Sequence, residues 1–405
     1  MWLNHNEVQP HWRTFMHAIA ALGLDELERF QQEAGRQLLE NGVTYNVHGD
    51  PENLHRPWML DIIPLIISQQ DWQVIEAGLK QRAELLNLIL TDIYSARNLI
   101  KDGLLPPELI YGHNGFLRSC DSVQVPGAHQ LITYAADLAR GPDGRMWVLD
   151  DRTQAPSGAG YALENRTVQA RVLSSMIRDN KVFRLSNYFR ELQAELANLA
   201  VQRLSSPRVV VLSPGPLNET YFEHAYLAAY LGFTLVQGDD LTVHNGQVSL
   251  KSLEGLQPVD VILRRVDDLY CDPLELREES RLGVAGLLEA SRRKNVTIAN
   301  PLGSGVLENP ALMPFMAGLS KHLLGEDLLL PSAATWWCGQ TKELNYVLAN
   351  LPSCSSKPCT AMRKAERYTV ANSIRRNWKD SAFKSWPTRS NMLAKSWSAS
   401  PRRLR

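Results

Sequence analysis

Along residues 10–40 apolar side chains recur at three- and four-residue spacing, in "WRTFMHAIAALG" and again in "LDELERFQQEAGRQLLENG". That is the period of a helix with one buried face, and it predicts two helices, the second ending at Gly42. "VTYNVHGDP" alternates like a strand and closes in a Gly-Asp-Pro turn. A longer stripe of Trp72, Ile75, Leu79, Leu86, Ile89, Leu90 and Ile93 predicts an amphipathic helix from Asp71. Such a stripe is core packing far more often than a binding face.

The period then changes to two. "LITYAADLARGPDGRMWVLDDRTQ" predicts a β-hairpin, with strand Leu131–Leu138 turning through Gly141-Pro142-Asp143-Gly144 into strand Met146–Asp150. Residues flanking such a turn face each other, so Asp137 is expected near Asp150 and Asp151. Helices follow to about Gln202, and "SSPR" marks a domain joint. Beyond it, "RVVVLSPGP" is an unbroken apolar strand, and "NETYFEHAYLAAYLG" is a helix with Asn218 as its cap. "TLVQGDDLTVHNGQVSLKSL" is a strand and a hairpin over Asn245-Gly246. "VDVILRRVDD" and "VTIAN" are further strands, the last leading into the loop "PLGSGVLENP". Strands alternating with helices predict an α/β fold with ligands beside the strand C-termini.

At 405 residues and 44% apolar content the chain is long enough for two or three cores. It has no apolar run long enough to span a membrane, and no secretory signal is expected from its first residues. Cys120, Cys271, Cys338, Cys354 and Cys359 show no C-x-x-C spacing, which points to a reducing cytoplasm rather than a disulfide frame or a zinc site. The formal net charge of zero conceals two compositions. Residues 353–405 carry 13 Lys and Arg against 2 Asp and Glu, leaving 30 against 41 for the rest.

The first candidate for chemistry is the set Asp137, Asp150 and Asp151, with Glu164 and Asn165 just beyond. Magnesium takes one or two carboxylates and fills its other positions with water and phosphate oxygens; a solvated acidic turn is the bland alternative. "LSPGP" before a helix offers an anion site, but Pro214 and Pro216 remove donors, and neither G-x-G-x-x-G nor a Walker lysine is present. Arg264 and Arg265 end a strand and could grip a carboxylate or phosphate, or else pair with Asp267 and Asp268. Gly303-Ser304-Gly305 permits close backbone approach to a ligand, though a turn explains it equally. His48, His113, His129 and His224 stand in no ligand register. G-x-S-x-G and H-E-x-x-H are both missing, so hydrolase and zinc-protease chemistry falls away.

Several strings occur together in one order: "NGVTYNVHGD", "RPWMLDIIPLII", "GLKQRAELLNLILTDIY", "DLARGPDGRMWVLDDRTQAPSGAGYALENR", "LSPGPLNETYFEHAYLAAYLG", "LVQGDDLTVHNGQVSL", "VDVILRRVDDLYCDPLELR" and "IANPLGSGVLEN". As a set they resemble the circularly permuted ATP-grasp proteins of bacteria, from about residue 11 to residue 350. The resemblance implies an α/β fold in four parts. These are a helical N-terminal region at 1–100, the metal-bearing part of a permuted ATP-grasp lobe at 101–205, a Rossmann-like pre-ATP-grasp domain at 206–350, and a tail at 351–405. It also implies an ATP- and Mg2+-dependent carboxylate–amine ligase, akin to glutathionylspermidine synthase in the nucleotide lobe, acting on peptide-like or amino-acid substrates. Asp137 then matches the first metal-binding acid, and Asp150 the acid of the family's Glu-Asp-Asn step, which here reads Asp150-Asp151-Arg152. The implied metal ligands are Asp137, Asp150 and Asp151. The implied nucleotide contacts are Asp137, Asp150, Arg152 and Asn165. Arg152 and Arg265 are the catalytic candidates, and Arg264, Arg265 and Ser304 the substrate candidates. An arginine where the family has asparagine would contact phosphate or substrate rather than the metal.

The family continues after "LLLPSAATWWCGQTKELNYVLANLP" into a strand with an ATP-binding lysine. This chain instead gives a stretch with ten serines and no glycine between residues 353 and 405. In another reading frame, codon degeneracy permits "KALHGDAEGRTVYGSQ" over residues 356–372 and "ELVSLSTA" near Trp397, both similar to the missing lobe. The expectation is a frameshifted, disordered basic tail and a truncated nucleotide lobe. That would make the chain either an impaired ligase or a non-catalytic remnant that binds without nucleotide turnover. The rival reading is a native basic tail for nucleic acid or an acidic partner.

Overall fold

The helical period at the start of the chain becomes two helices, Pro10–Leu22 and Leu24–Glu40, joined at Gly23, whose φ of 80° few other residues adopt. The structure is a computed structural model that describes residues 2–4, 7–46, 56–141, 143–201, 206–350, 354–358 and 392–396. It divides into two compact units, each made of two chain segments: 1–73 with 157–299, and 74–156 with 300–405.

In the first unit, Trp12, Phe15, Ala34, Leu38 and Val43 pack with Tyr161 and Val168 of the helix Ala159–Val172. The sheet is four parallel strands in the order Thr297–Ala299, Val261–Arg264, Val209–Leu212, Thr234–Val236. Every residue of the first three of these strands is buried, which is why "VVVL" and "VIL" read as unbroken apolar runs rather than alternating ones. The helix after Val209–Leu212 is Tyr221–Leu231, two residues shorter at its start than an Asn218 cap would make it. The Asn218 side chain instead accepts from Thr220 N–H and Oγ1 in the preceding turn. Strands Leu241–His244, Gln247–Ser252 and Gly255–Pro258 form an antiparallel meander. Its first turn places Asn245 and Gly246 at φ 52° and 76°, the left-handed pair a two-residue hairpin requires. Of the strand expected at 43–51, Thr44 bridges Pro57, and residues 47–55 lie outside the described residues, as does Ser205 of the expected joint.

The second unit contains nearly all of the helix Gln69–Ile93. Its buried face is Ile75, Gly78, Arg82, Leu85, Leu86, Ile89, Leu90 and Ile93, whereas Trp72 is half exposed. Gly78 lies against Leu330 with no room for a Cβ. The hairpin Ala135–Arg140 with Met146–Arg152 packs Val148 on Met313 and Leu330, joined by Ala136, Leu138 and Met146. On its other edge Val148 bonds the segment 331–333, donating to Pro331 O and accepting from Ala333 N–H. A three-stranded antiparallel sheet sets Met392–Ser396 between Thr335–Trp337 and Cys354–Pro358. These are the two strands described within the expected tail; residues 351–353, 359–391 and 397–405 lie outside the described residues. Among the described residues no helix is long and apolar enough to cross a membrane.

Candidate functional site

The hairpin's tip is a tight turn. Gly141 N–H donates to Arg145 O at 2.8 Å, and the Asp143 carboxylate takes both the N–H and Nε of Arg145. From the tip the pairing runs Arg140 with Met146, Ala139 with Trp147, and Leu138 with Val148, then skips Leu149 to pair Asp137 with Asp150, Ala136 with Asp151 and Ala135 with Arg152. Leu149 is a β-bulge, one extra residue that reverses the side-chain alternation of the second strand. Were Leu149 paired in the ladder instead, it would face Asp137, and Asp150 would stand with Val148 on the core side. With it, Asp137, Asp150 and Arg152 share one face, and Asp151 turns to the other beside Ala136.

On the inner face Asp151 is gripped by Arg82. Nε donates to Oδ1 at 2.7 Å and Nη2 to Oδ2 at 2.8 Å, and both side chains are almost wholly buried. Tyr134 Oη also donates to Asp151 Oδ1, at 2.6 Å, and Arg82 Nη1 to Ser332 Oγ at 3.0 Å. Burial works against the Arg82 charge, but the bonds and charge of Asp151 outweigh it and raise its pKa. Burial, then the Asp151 charge, pushes the Tyr134 hydroxyl far above its ordinary range, so it stays a donor. Both oxygens of Asp151 therefore have protein partners.

On the outer face Asp137 is exposed, Asp150 partly so, and Arg152 Nη2 donates to Asp137 Oδ2 at 2.8 Å. Half-burial pulls the Arg152 pKa down, but Asp137 first, then Glu308 and Asp150, raise it above the usual value. Four acidic or basic groups thus share this corner. Glu308 is fixed there because its Oε1 accepts Thr153 N–H at 2.8 Å and Gln154 N–H at 2.7 Å. Asn300 staples the base of the hairpin. Its Oδ1 accepts Ile132 and Thr133 N–H, both at 2.8 Å, and its Nδ2 donates to Thr133 O at 2.7 Å and Thr153 O at 2.6 Å. Ser304, wholly buried, takes the Thr153 hydroxyl on its carbonyl at 2.9 Å, and Gly303, at φ 92°, packs against Tyr94. Among the described residues no group of three or more His, Cys, Asp or Glu is placed to hold a metal. A cation here would rest on Asp137 and Asp150, a hard two-carboxylate set that suits Mg2+ with water and phosphate oxygens completing the shell.

Asn165, Arg264 and Arg265 belong to the first unit, and the acids above to the second. Arg264 is fully buried, paired with Asp268 at 2.5 Å and donating to Val266 O at 3.0 Å. Arg265 lies 3.6 Å from the Glu223 carboxylate, and burial lowers its pKa despite Glu223. Glu223 itself accepts the Gly158 and Gly160 N–H groups at 2.7 and 2.8 Å, a carboxylate at the N-terminus of helix Ala159–Val172. The triplet Glu164-Asn165-Arg166 on that helix bonds Asn41 Nδ2, Trp58 Nε1 and Phe183 O, three ties to neighbouring elements.

Pattern reading passed over Arg82, Tyr134, Glu223, Asn300 and Glu308. Arg82 left a trace, since it falls in register with the stripe Ile75, Leu79, Leu86, Ile89 and Ile93, where a charge must find a buried partner. The other four carry no spacing signal.

A model of the family described as circularly permuted ATP-grasp type 2 matches residues 64–385. A Mycobacterium tuberculosis protein, itself named only as uncharacterised, is 44% identical over 354 residues, covering 85% of this chain and 40% of its own length. The chain therefore spans about 40% of the length of that mycobacterial relative. An uncharacterised Synechocystis protein is 38% identical over 343 residues, covering 85% of this chain and 71% of the relative. Among solved structures, a glutathione synthetase-like effector of Globodera pallida aligns with a TM-score of 0.51 and 13% identity, over 92% of this chain and 81% of that one. At that identity the likeness is one of fold.

Proposed function

The chain belongs to the circularly permuted ATP-grasp type 2 family, and on that premise we propose that the outer face of the Asp137–Asp150 hairpin is the metal–phosphate edge of an ATP-dependent carboxylate–amine ligase. One observation carries the reading. Two carboxylates sit directly opposite each other across an antiparallel pair, an arrangement that destabilises a hairpin unless a cation offsets it.

In this reading the substrate carboxylate attacks the γ-phosphorus of ATP and ADP leaves. The amine nitrogen then attacks the acyl carbon, phosphate leaves, and the amine gives up a proton. Bound Mg2+ would neutralise charge on the transferring phosphoryl group. Asp137 and Asp150 would hold that cation through their carboxylate oxygens. Arg152, on the same face, would swing its guanidinium from Asp137 to phosphate oxygens, for which its planar fork is suited. Asp151 is left out of the metal set and positions its strand through Arg82. Glu308 and Asn300 fix the backbone beyond Arg152. Asn165, Arg264, Arg265 and Ser304 enter only as supports of their own elements, each through the partners described above. A cytoplasmic location, where ATP and carboxylate and amine substrates are at hand, goes with this reading.

The test is ADP release by the full chain with ATP and Mg2+ over pools of amino acids and short peptides. Asp137→Asn is expected to abolish Mg2+-dependent release, and unchanged release removes the metal assignment. The composition of residues 353–405 favours a second reading, a remnant of a frameshifted gene that does not turn over nucleotide. Its signature is ATP binding by a frame-restored protein and none by this chain.

A further inference from the structure

Arg152 stands where its charge matters most. Its guanidinium bonds Asp137 at 2.8 Å, on the same face as Asp150, and feels both Asp150 and Glu308. The two opposed aspartates need a positive charge between them, and in this chain a side chain already brings one. A guanidinium cannot lose its proton in the physiological range, so the charge is permanent. It is also tethered, on a strand whose register is locked by the bulge at Leu149 and by Asn300.

We propose that Arg152 is a built-in counter-cation that competes with the divalent ion for Asp137, so that this site binds metal weakly until Arg152 is drawn away. The proposal rests on the reading of Asp137 and Asp150 as the metal edge. It makes a prediction of unusual sign. Truncating a residue in a binding site ordinarily weakens binding. Here removal of Arg152 strengthens it, because a positive charge repelling the incoming ion is gone and Asp137 Oδ2 is released. The Arg152–Asp137 pair is about half exposed on both sides, so water screens it and the effect is modest, about 3- to 10-fold.

The measurement is Mn2+ binding to the full chain without nucleotide, by electron paramagnetic resonance of free Mn2+, with circular dichroism to check folding. Arg152→Ala and Arg152→Asn are expected to tighten Mn2+ by about 3- to 10-fold, Arg152→Lys to stay near the parent, and Asp137→Asn to weaken it. Equal or weaker binding by both Arg152→Ala and Arg152→Asn overturns the counter-cation. If Asp137→Asn still weakens binding in that case, the metal edge survives and only this inference fails. If neither the parent nor Arg152→Ala binds Mn2+, both fall together.

Discussion

Removing Arg82 tests the division of labour among the three adjacent acidic and basic residues of the hairpin. Arg82→Met keeps a stem of similar reach and leaves the Asp151 carboxylate buried with Tyr134 as its remaining side-chain donor. Breaking a buried ion pair from one side costs about 3–5 kcal/mol, because a charge is stranded away from water. At roughly 2–4 °C per kcal/mol for a domain of this size, the melting temperature falls by on the order of 10 °C. Asp151→Leu strands the guanidinium instead and should cost about as much. The pair of changes together removes both charges, and the double variant should return to within about 1–2 kcal/mol of the parent. Urea unfolding followed by tryptophan fluorescence, with Trp147 in the hairpin itself, reads all four proteins. The double variant should also keep its Mn2+ affinity, which it would lose if Asp151 were a metal ligand. Single variants within about 1 kcal/mol of the parent, or strictly additive effects, would refute the buried-pair reasoning.

Asn300→Ala removes four hydrogen bonds from the hairpin base; the unit should lose about 2–4 kcal/mol, and the Ile132 and Thr133 amides should exchange faster with deuterium. Unchanged protection of those two amides would contradict the staple. His224, bonded to Ser213 Oγ and Thr220 Oγ1, has its pKa pushed down to about 3, by burial and then by Arg265. Below the ordinary histidine value the unfolded chain takes up a proton that the folded one refuses. Its contribution is therefore intact above about pH 6.5 and erodes by about 1.4 kcal/mol per pH unit as pH falls towards 3. His224→Gln should flatten the stability profile between pH 6.5 and 4, and identical slopes for variant and parent would count against it.

Much of the scaffold was legible from period alone. The two N-terminal helices, the long helix, the central hairpin and the buried parallel strands all follow from apolar spacing. Even the facing of Asp137 and Asp150 was foreseen, but for an incomplete reason, because a plain hairpin through the same turn would have put Asp150 on the core side. The bulge at Leu149 leaves no composition signal; it is set by what Val148 and Asp151 pack against. Arg264 and Arg265 show the opposite difficulty. Their pattern left grip and pairing equally open, and burial beside Asp268 and Glu223 gives each an acid within its own unit. Nor does a linear reading show that each compact unit draws on two distant stretches of chain.

Leu149 also gives the hairpin two independent phases. From the tip to Val148 the alternation answers to the apolar core, and from Asp150 to Arg152 it answers to the charged face. A lineage carrying such a spacer can alter the length or composition of the turn, or repack Met146 and Val148, without rotating its acids out of place. Pairing Leu149 in the ladder opposite Asp137 would do the reverse, turning Asp150 inward while leaving every acid in the sequence. For members of this family, keeping the aspartates is therefore a weaker sign of a working metal edge than keeping the register that sets them opposite each other.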